Sequence, residues 1–316
     1  MPATCPIWLV VGFLGAGKTT LLRRLVKTAR GRRLIYVVNE FSAVDVDAGL
    51  IERDGGSTIA VPGGSIFCRC LITEFVNVLR RVSDGLQGSD GVIVQPDGVV
   101  IEASGLADPR SMRRLLAESG LDARFHVAGV TAVVDPGTLM KLLLVLPNIK
   151  GQIESADLIL LNKTDLHSPE TIEKVRKKIC AINPHATLVR CMRGAVDPAI
   201  ILAEGVSQRA AQVDAEFGLC RDPQFEREVV VFQQPVELQT LCDRIASGGE
   251  GLYRAKGFVN TACGWKYLDW SAGVLSLEDA DAGRTSALAL IWNPQTVNAG
   301  LTRWISECAG TTFSGT

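Results

Sequence analysis

The residues Gly12-Phe13-Leu14-Gly15-Ala16-Gly17-Lys18-Thr19 constrain this chain more than any other stretch. They fit the pattern G-x-x-x-x-G-K-[ST] in full and lie directly behind an apolar run, Ile7–Val11. Glycines at these spacings let the backbone curl until successive N–H groups point inward as an anion nest. The dipole of a following helix reinforces that nest. Such a loop needs a strand before it and a helix after it, and Ile7–Val11 and Thr19–Thr28 read as those two elements. On this reading Gly12, Gly15, Ala16, Gly17 and Thr20 line a nucleotide's phosphates. Lys18 reaches the β and γ phosphates as a catalytic cation, and the Thr19 hydroxyl is a magnesium ligand.

The rest of the chain supplies the sheet that such a loop belongs to. Up to about residue 192, β-branched runs alternate with helix-period segments, the pattern of a mostly parallel α/β sheet. The expected strands are Ile7–Val11, Leu34–Val38, Val99–Glu102, Val127–Val134, Leu158–Leu161 and Thr187–Val189, and they are continuous apolar runs, as strands covered on both faces should be. Helices are expected at Thr19–Thr28, at Ile72–Val82 with Ile72, Phe75, Leu79 and Val82 on one stripe, and after the cap Ser168-Pro169-Glu170. Asp84–Gly98 reads as a loop, with Val92-Ile93-Val94 open as a short strand.

After Arg227 the order of elements changes. Strands are expected at Val229–Phe232, Leu252–Val259, Trp265–Trp270 and Ala287–Trp292, with helices at Val236–Ala246 and Gln295–Cys308. That gives three segments. Residues 1–195 form a P-loop domain, 196–226 a helix and connector, and 227–316 a smaller α+β domain with helices on one face.

Composition bounds the partners. With 33 basic against 34 acidic residues the net charge is −1, so charge gives no reason to expect nucleic acid or an anionic membrane. Met1–Val11 lacks a basic leader and runs into glycines and Lys18, so it reads as a buried strand rather than a signal peptide. The nine cysteines are odd in number and mostly set in apolar segments, which suits a reduced, cytoplasmic setting.

Two further motifs follow in chain order. Glu102 closes the strand Val99–Ile101 and precedes Ala103-Ser104-Gly105, which is where a magnesium-linked carboxylate belongs in this fold. Gly105 could sense the γ phosphate through its N–H. The plainer alternative is that Glu102 only forms a salt bridge on the sheet rim. Asn162-Lys163-Thr164-Asp165 follows Leu158–Leu161 and has the form N-K-x-D. The two acceptor oxygens of an aspartate match the N1–H and amino donors of guanine, whereas adenine presents an acceptor at N1. The lysine stem can lie across the purine. The expected ligand is therefore GTP with magnesium, and the expected activity is GTP hydrolysis.

Taken together, these motifs resemble the CobW-type GTPases. Gly12–Thr20 looks like that family's phosphate loop, Val38-Asn39-Glu40-Phe41 with Asp47 like its switch segment, and Glu102–Pro109 like its E-x-x-G-L-A-D-P segment. Leu161–Leu166 looks like its base motif, Asn183-Pro184 like its later loop, and Arg254-Ala255-Lys256-Gly257-Phe258-Val259 like the signature of its C-terminal domain. The resemblance implies magnesium-dependent GTP hydrolysis coupled to delivery of a metal ion or cofactor to a client metalloprotein or corrinoid protein, and a nucleotide-dependent homodimer. Asp47 joins Thr19 and Glu102 as a candidate for magnesium, and Glu40 and Asp47 are candidate switch residues.

The chain departs from the family at its metal motif, a glycine followed by C-x-C-C. Here Gly64-Ser65-Ile66-Phe67-Cys68-Arg69-Cys70 keeps Cys68 and adds Cys70, while Ser65 and Phe67 stand where cysteines are expected. The dipole of the helix near Ile72 and the charge of Arg69 favour thiolates. With Glu40, or with groups from a second subunit, Cys68 and Cys70 could hold zinc or cobalt, or they could pack as small hydrophobes. His126, His167 and His185 have no second histidine at ligand spacing, and the tryptophans Trp265, Trp270, Trp292 and Trp304 read as core or, alternatively, as an exposed patch for a client protein. Two other functions stay open: a regulatory GTPase that binds a protein but no transition metal, and an ATP-using kinase or ligase on the same fold.

Overall fold

A computed structural model of the chain describes residues 4–29, 31–40, 51, 57–62, 72–87, 93–105, 107–203, 226–271, 273–282 and 285–309. They fall into two compact units, one holding the phosphate loop and the other drawn largely from residues after 220.

The strands of the first unit are β1 (Cys5–Val11), β2 (Leu34–Glu40), β3 (Ser57–Pro62), a two-residue pair β4 (Leu86–Gln87) and β5 (Ile93–Val94), then β6 (Gly98–Glu102), β7 (Phe125–Val134), β8 (Leu158–Leu161) and β9 (Thr187–Arg190). Seven of them form one parallel sheet in the order β3-β2-β6-β1-β7-β8-β9. The helices are α1 (Lys18–Thr28), α2 (Ile72–Ser83), α3 (Met112–Glu118), α4 (Pro136–Val145), α5 (Pro147–Ser155), α6 (Pro169–Ile182) and the short α7 (Pro198–Ile201).

β1 is central and has helices on both sides of its sheet, so its residues from Ile7 to Val11 are fully buried, as are all of β6 and β8. Trp8, Leu21, Leu22, Leu25, Val100 and Leu160 share one core. Each such side chain contributes about 1.5–3 kcal/mol on burial, and together they fix the loop that leaves β1.

All six strands expected in this half are present. β3 adds a seventh, which periodicity does not reveal because Ser-Thr-Ile-Ala-Val-Pro lies at the sheet edge and is mostly half-exposed. Ile93-Val94 does form a short strand, paired antiparallel with Leu86-Gln87. Helices α3 to α5 have no counterpart among the expected ones. α3 is seven residues long, and α4 is apolar on nearly every side, so neither has a clear polar stripe. α6 starts as its cap predicts, with Ser168 Oγ accepting from Thr171 N at 3.3 Å.

One acidic group sits at a cost inside this unit. Asp157, at the entrance to β8, accepts from Val130 N at 2.8 Å. Burial nevertheless raises its pKa above the usual carboxylate value, against the smaller lowering by the Val130 hydrogen bond. A raised folded pKa means that folding favours the protonated form over the charged one. Its contribution is complete below the unfolded pKa and is lost as the pH rises through the folded value. Asp157→Asn keeps an acceptor and removes the charge, so it is expected to raise Tm at pH 7.5. The gain should shrink toward pH 4, and a gain that instead grows on acidification would contradict this account.

The second unit holds β10 (Glu226–Val231), α8 (Leu238–Ala246), β11 (Leu252–Thr261), β12 (Gly264–Ser271), β13 (Val274–Asp279), β14 (Ala287–Trp292) and α9 (Ala299–Ala309). The strands form an antiparallel sheet in the order β10-β14-β11-β12-β13. Leu241 and Ile245 of α8, and Leu301 and Ile305 of α9, join Ala255, Val259, Leu268 and Leu288 in one core. β13 is a mostly exposed edge strand whose apolar alternation is limited to Leu275 and Leu277, too short to stand out in the sequence pattern.

Two helix starts shift from the sequence expectation. Val236 pairs with Thr261, and the Glu237 carboxylate caps α8 by accepting from Gln239 N and Thr240 N. α9 begins at Ala299, after a turn in which Asn293 Oδ1 accepts from Gln295 N. Trp270 and Trp292 are core as expected, whereas Trp304 is half-buried and stacked on Phe232 at 6.4 Å, and Trp265 is half-buried.

Among the described residues no helix is long and apolar enough to cross a membrane.

Candidate functional site

In an open parallel sheet the carboxyl ends of the strands face one rim, and loops there are placed to meet a ligand. Among the described residues, the loops after β1, β6, β7, β8 and β9 lie on that rim.

The loop after β1 carries Gly12, Gly15 and Gly17 with φ of 140°, 74° and 106°, values that side chains rarely adopt. Gly12 is the more constrained, because a Cβ there would stand 2.2 Å from the backbone oxygen of Val133, whereas at Gly17 it would stand 2.3 Å from the side-chain Nδ2 of Asn162. Ala16 N closes the turn on Phe13 O at 3.1 Å, and Thr20 is exposed on the first turn of α1. Lys18 is 5% exposed, and its Nζ donates to Gly12 O at 2.8 Å and to Phe13 O at 3.4 Å. A buried ammonium is tolerated only where carbonyls or anions satisfy it. Here the ammonium is folded back onto the carbonyls of its own loop.

Beside it, Thr19 Oγ1 donates to Glu102 Oε1 at 3.2 Å, and Glu102 is 4% exposed. A hydroxyl and a carboxylate thus meet at the first turn of α1. Both are hard oxygen donors, a set that suits magnesium rather than a soft metal. The segment after Glu102 is pinned by Ala103 N to Val10 O at 3.0 Å and by Ser104 N to Asn39 Oδ1 at 3.2 Å. Gly105 follows, against Leu14 of the phosphate loop.

The loop after β8 is fastened to the loop after β1 by one side chain. Asn162 is 1% exposed, and its Nδ2 donates to Ala16 O at 2.9 Å. Its Oδ1 accepts from Gly194 N at 3.0 Å and from the Cys191 thiol at 3.5 Å. Burial raises the pKa of Cys191 and keeps it a thiol donor, partly opposed by the Gly194 hydrogen bond. Leaving any of these buried partners unsatisfied costs about 1–3 kcal/mol, so Asn162 makes the phosphate and base loops a single piece.

Lys163 takes the left-handed conformation at φ 57°, and its Nζ lies 3.0 Å from Asp135 Oδ2. His167 Nε2 lies 2.8 Å from Asp135 Oδ1, and that carboxylate also caps α4 through Gly137 N. Asp165 is exposed on the same loop.

Two groups at this rim escape sequence reasoning. Asp135 looks like an ordinary helix cap before Pro136. Cys191-Met192-Arg193-Gly194 carries no motif, yet Thr164 donates to Cys191 O and both Arg193 and Gly194 have positive φ. Only the register β8↔β9 brings that turn beside Asn162.

Cys68, Cys70 and Asp47 lie outside the described residues, as does the side chain of Glu40, whose backbone ends β2. Among the described residues no group of three or more His, Cys, Asp or Glu is placed to hold a metal. His126 Nδ1 pairs with Thr4 Oγ1 at 2.8 Å, and His185 N donates to Asn183 Oδ1 at 3.1 Å.

Against known proteins, residues 6–190 match the family model for the CobW/HypB/UreG nucleotide-binding domain. The chain is 27% identical over 263 residues to the zinc chaperone YjiA of Escherichia coli, covering 80% of this chain and 81% of that one. It is 28% identical over 230 residues to the zinc chaperone CobW of a Sinorhizobium species, covering 64% of this chain and 63% of that one. A solved structure of Zn(II)-bound YjiA GTPase from E. coli aligns over 98% of this chain and 100% of its own, with a TM-score of 0.47 and 20% identity.

Proposed function

The chain belongs to the CobW/HypB/UreG family of nucleotide-binding proteins, and from that premise we propose that it binds GTP with magnesium, hydrolyses it, and couples hydrolysis to delivery of a metal ion to a client metalloprotein. The observation that carries this reading is the Asn162–Ala16 contact at 2.9 Å. It joins a loop with anion-binding geometry to a loop that ends in an exposed carboxylate, and guanine nucleotides need both at once. Residues 1–195 would do the nucleotide work, and 227–316 would face the client. A cytoplasmic setting keeps Cys68 and Cys70 reduced.

In this mechanism the amides of Gly15, Gly17 and Lys18 receive the β phosphate, joined by that of Ala16 as it leaves Phe13 O, and the Lys18 ammonium leaves Gly12 O and Phe13 O for the β and γ oxygens. Thr19 and Glu102 would hold the magnesium ion, which neutralises phosphate charge when bound. Water attacks the γ phosphorus in line. A P–O bond forms to the water oxygen as the bond to the β–γ bridging oxygen breaks. Lys18 and the loop amides take up the charge that develops there, and the Gly105 N–H holds a γ oxygen. Asp165 accepts from guanine N1–H and the amino group, with Lys163 held beside the base by Asp135.

The cargo metal, zinc or cobalt, would bind at Cys68 and Cys70. Supplied with GTP or ATP, the protein should release phosphate from GTP alone. Metal analysis of the GTP-loaded protein should find stoichiometric zinc or cobalt, lost in the Cys68→Ser, Cys70→Ser double variant. GTP turnover with no bound transition metal would instead leave a regulatory GTPase, the reading that Ser65 and Phe67 favour.

A further inference from the structure

Helix α5 buries a glutamine among its apolar residues. Gln152 is 2% exposed and lies between Ile149 and Ile153, both buried. A buried primary amide is costly unless its donors are used. Its Nε2 donates to Gly105 O at 3.2 Å and to Ala107 O at 2.8 Å. Both bonds end on the segment that leaves β6 after Glu102. Two residues on, Glu154 reaches Arg110 of the same segment at 3.4 Å. Across that segment lies the phosphate loop: a Cβ added at Gly105 would stand 2.6 Å from Leu14 N. Gly105 therefore has the phosphate loop on one side and the Gln152 amide on its carbonyl.

We propose that Gln152 is a positioning residue that fixes the aim of the Gly105 N–H over the phosphate loop, and thereby couples α5 to the third phosphate of the nucleotide. The proposal rests on the guanine-nucleotide reading above. A glycine has two soft dihedrals joining its N–H plane to its carbonyl plane. Ser104 O, in the same peptide plane as the Gly105 N–H, accepts from Ala107 N at 2.9 Å, and Gln152 holds both Ala107 O and Gly105 O, so the N–H is pre-aimed and a γ phosphate needs only to meet it. In the diphosphate state that N–H loses its target, so the Gln152 contacts matter to the triphosphate state and not to the diphosphate.

The test compares Gln152→Met, which keeps the volume and removes the donor, with the unaltered protein, titrating GDP and a non-hydrolysable GTP analogue. GDP affinity should stay within about twofold, while analogue affinity and kcat fall roughly tenfold or more, the signature of an interaction made in one state only. An equal loss for both nucleotides, or no loss for either, overturns the proposal. A second measurement needs no variant: amide exchange in residues 147–155 of the unaltered protein should slow with the analogue relative to GDP, and equal exchange overturns it. If the unaltered protein binds neither nucleotide, the guanine reading fails first and the coupling with it.

Discussion

Lys18→Ala is expected to lower GTP turnover by roughly 10²–10³-fold, the usual loss when one preorganised charge donor is removed from a developing oxyanion. The argument starts from burial. An ammonium that is 5% exposed and held by Gly12 O and Phe13 O cannot be a surface solubility charge. It stands within the curl of the loop, where the phosphates of a nucleotide would meet it. GDP binding should weaken far less than turnover, because the amides of the curl remain. Phosphate release assays with calorimetry on the same preparation check this. Turnover near that of the unaltered protein would overturn the proposed chemistry, since no other described cation lies in this loop.

Asp165→Asn should move base preference from guanine toward xanthine. The carboxylate offers two acceptors to the N1–H and amino donors of guanine. An amide turns one acceptor into a donor, which clashes with the guanine amino group and suits the xanthine oxygen. Sites built to pair with such groups discriminate strongly, so GTP affinity should drop by roughly 10²-fold or more while that for XTP rises. Because Asp165 is exposed, the fold should change by less than about 0.5 kcal/mol, which separates base reading from collapse of the loop. Competition binding with GTP, XTP and ATP decides the matter. An ATP-using enzyme would lose nothing in this variant.

Much of the architecture was legible because buried parallel strands leave continuous apolar runs, and β1, β6 and β8 are such runs. β3 and β13 were not, because edge strands with one wet face carry no such run. The phosphate loop was readable for a different reason: its curl needs glycines at fixed spacings, and few sequences offer them. Side-chain roles were less accessible. Asn162 reads as a nucleotide contact in sequence, yet its amide fastens Ala16, Cys191 and Gly194. Gln152 is silent in sequence, since a glutamine in a helix is usually solvated and only the packing shows this one buried. Asp135 serves Gly137, Lys163 and His167 together, a convergence set by tertiary register and not by spacing.

The strand order has a consequence for synthesis. β1 is made before the β6 and β7 that flank it, and the Asn162 that steadies its loop leans in turn on Gly194. On the ribosome, β1 must therefore wait, apolar and unpaired, until roughly 90 more residues have supplied β6, and its loop waits until about 180 have supplied Gly194. Contacts this distant along the chain close slowly and leave sticky surface exposed meanwhile. A nascent chain truncated before Gly194 should hold no nucleotide, and it is the form most in need of shelter from aggregation.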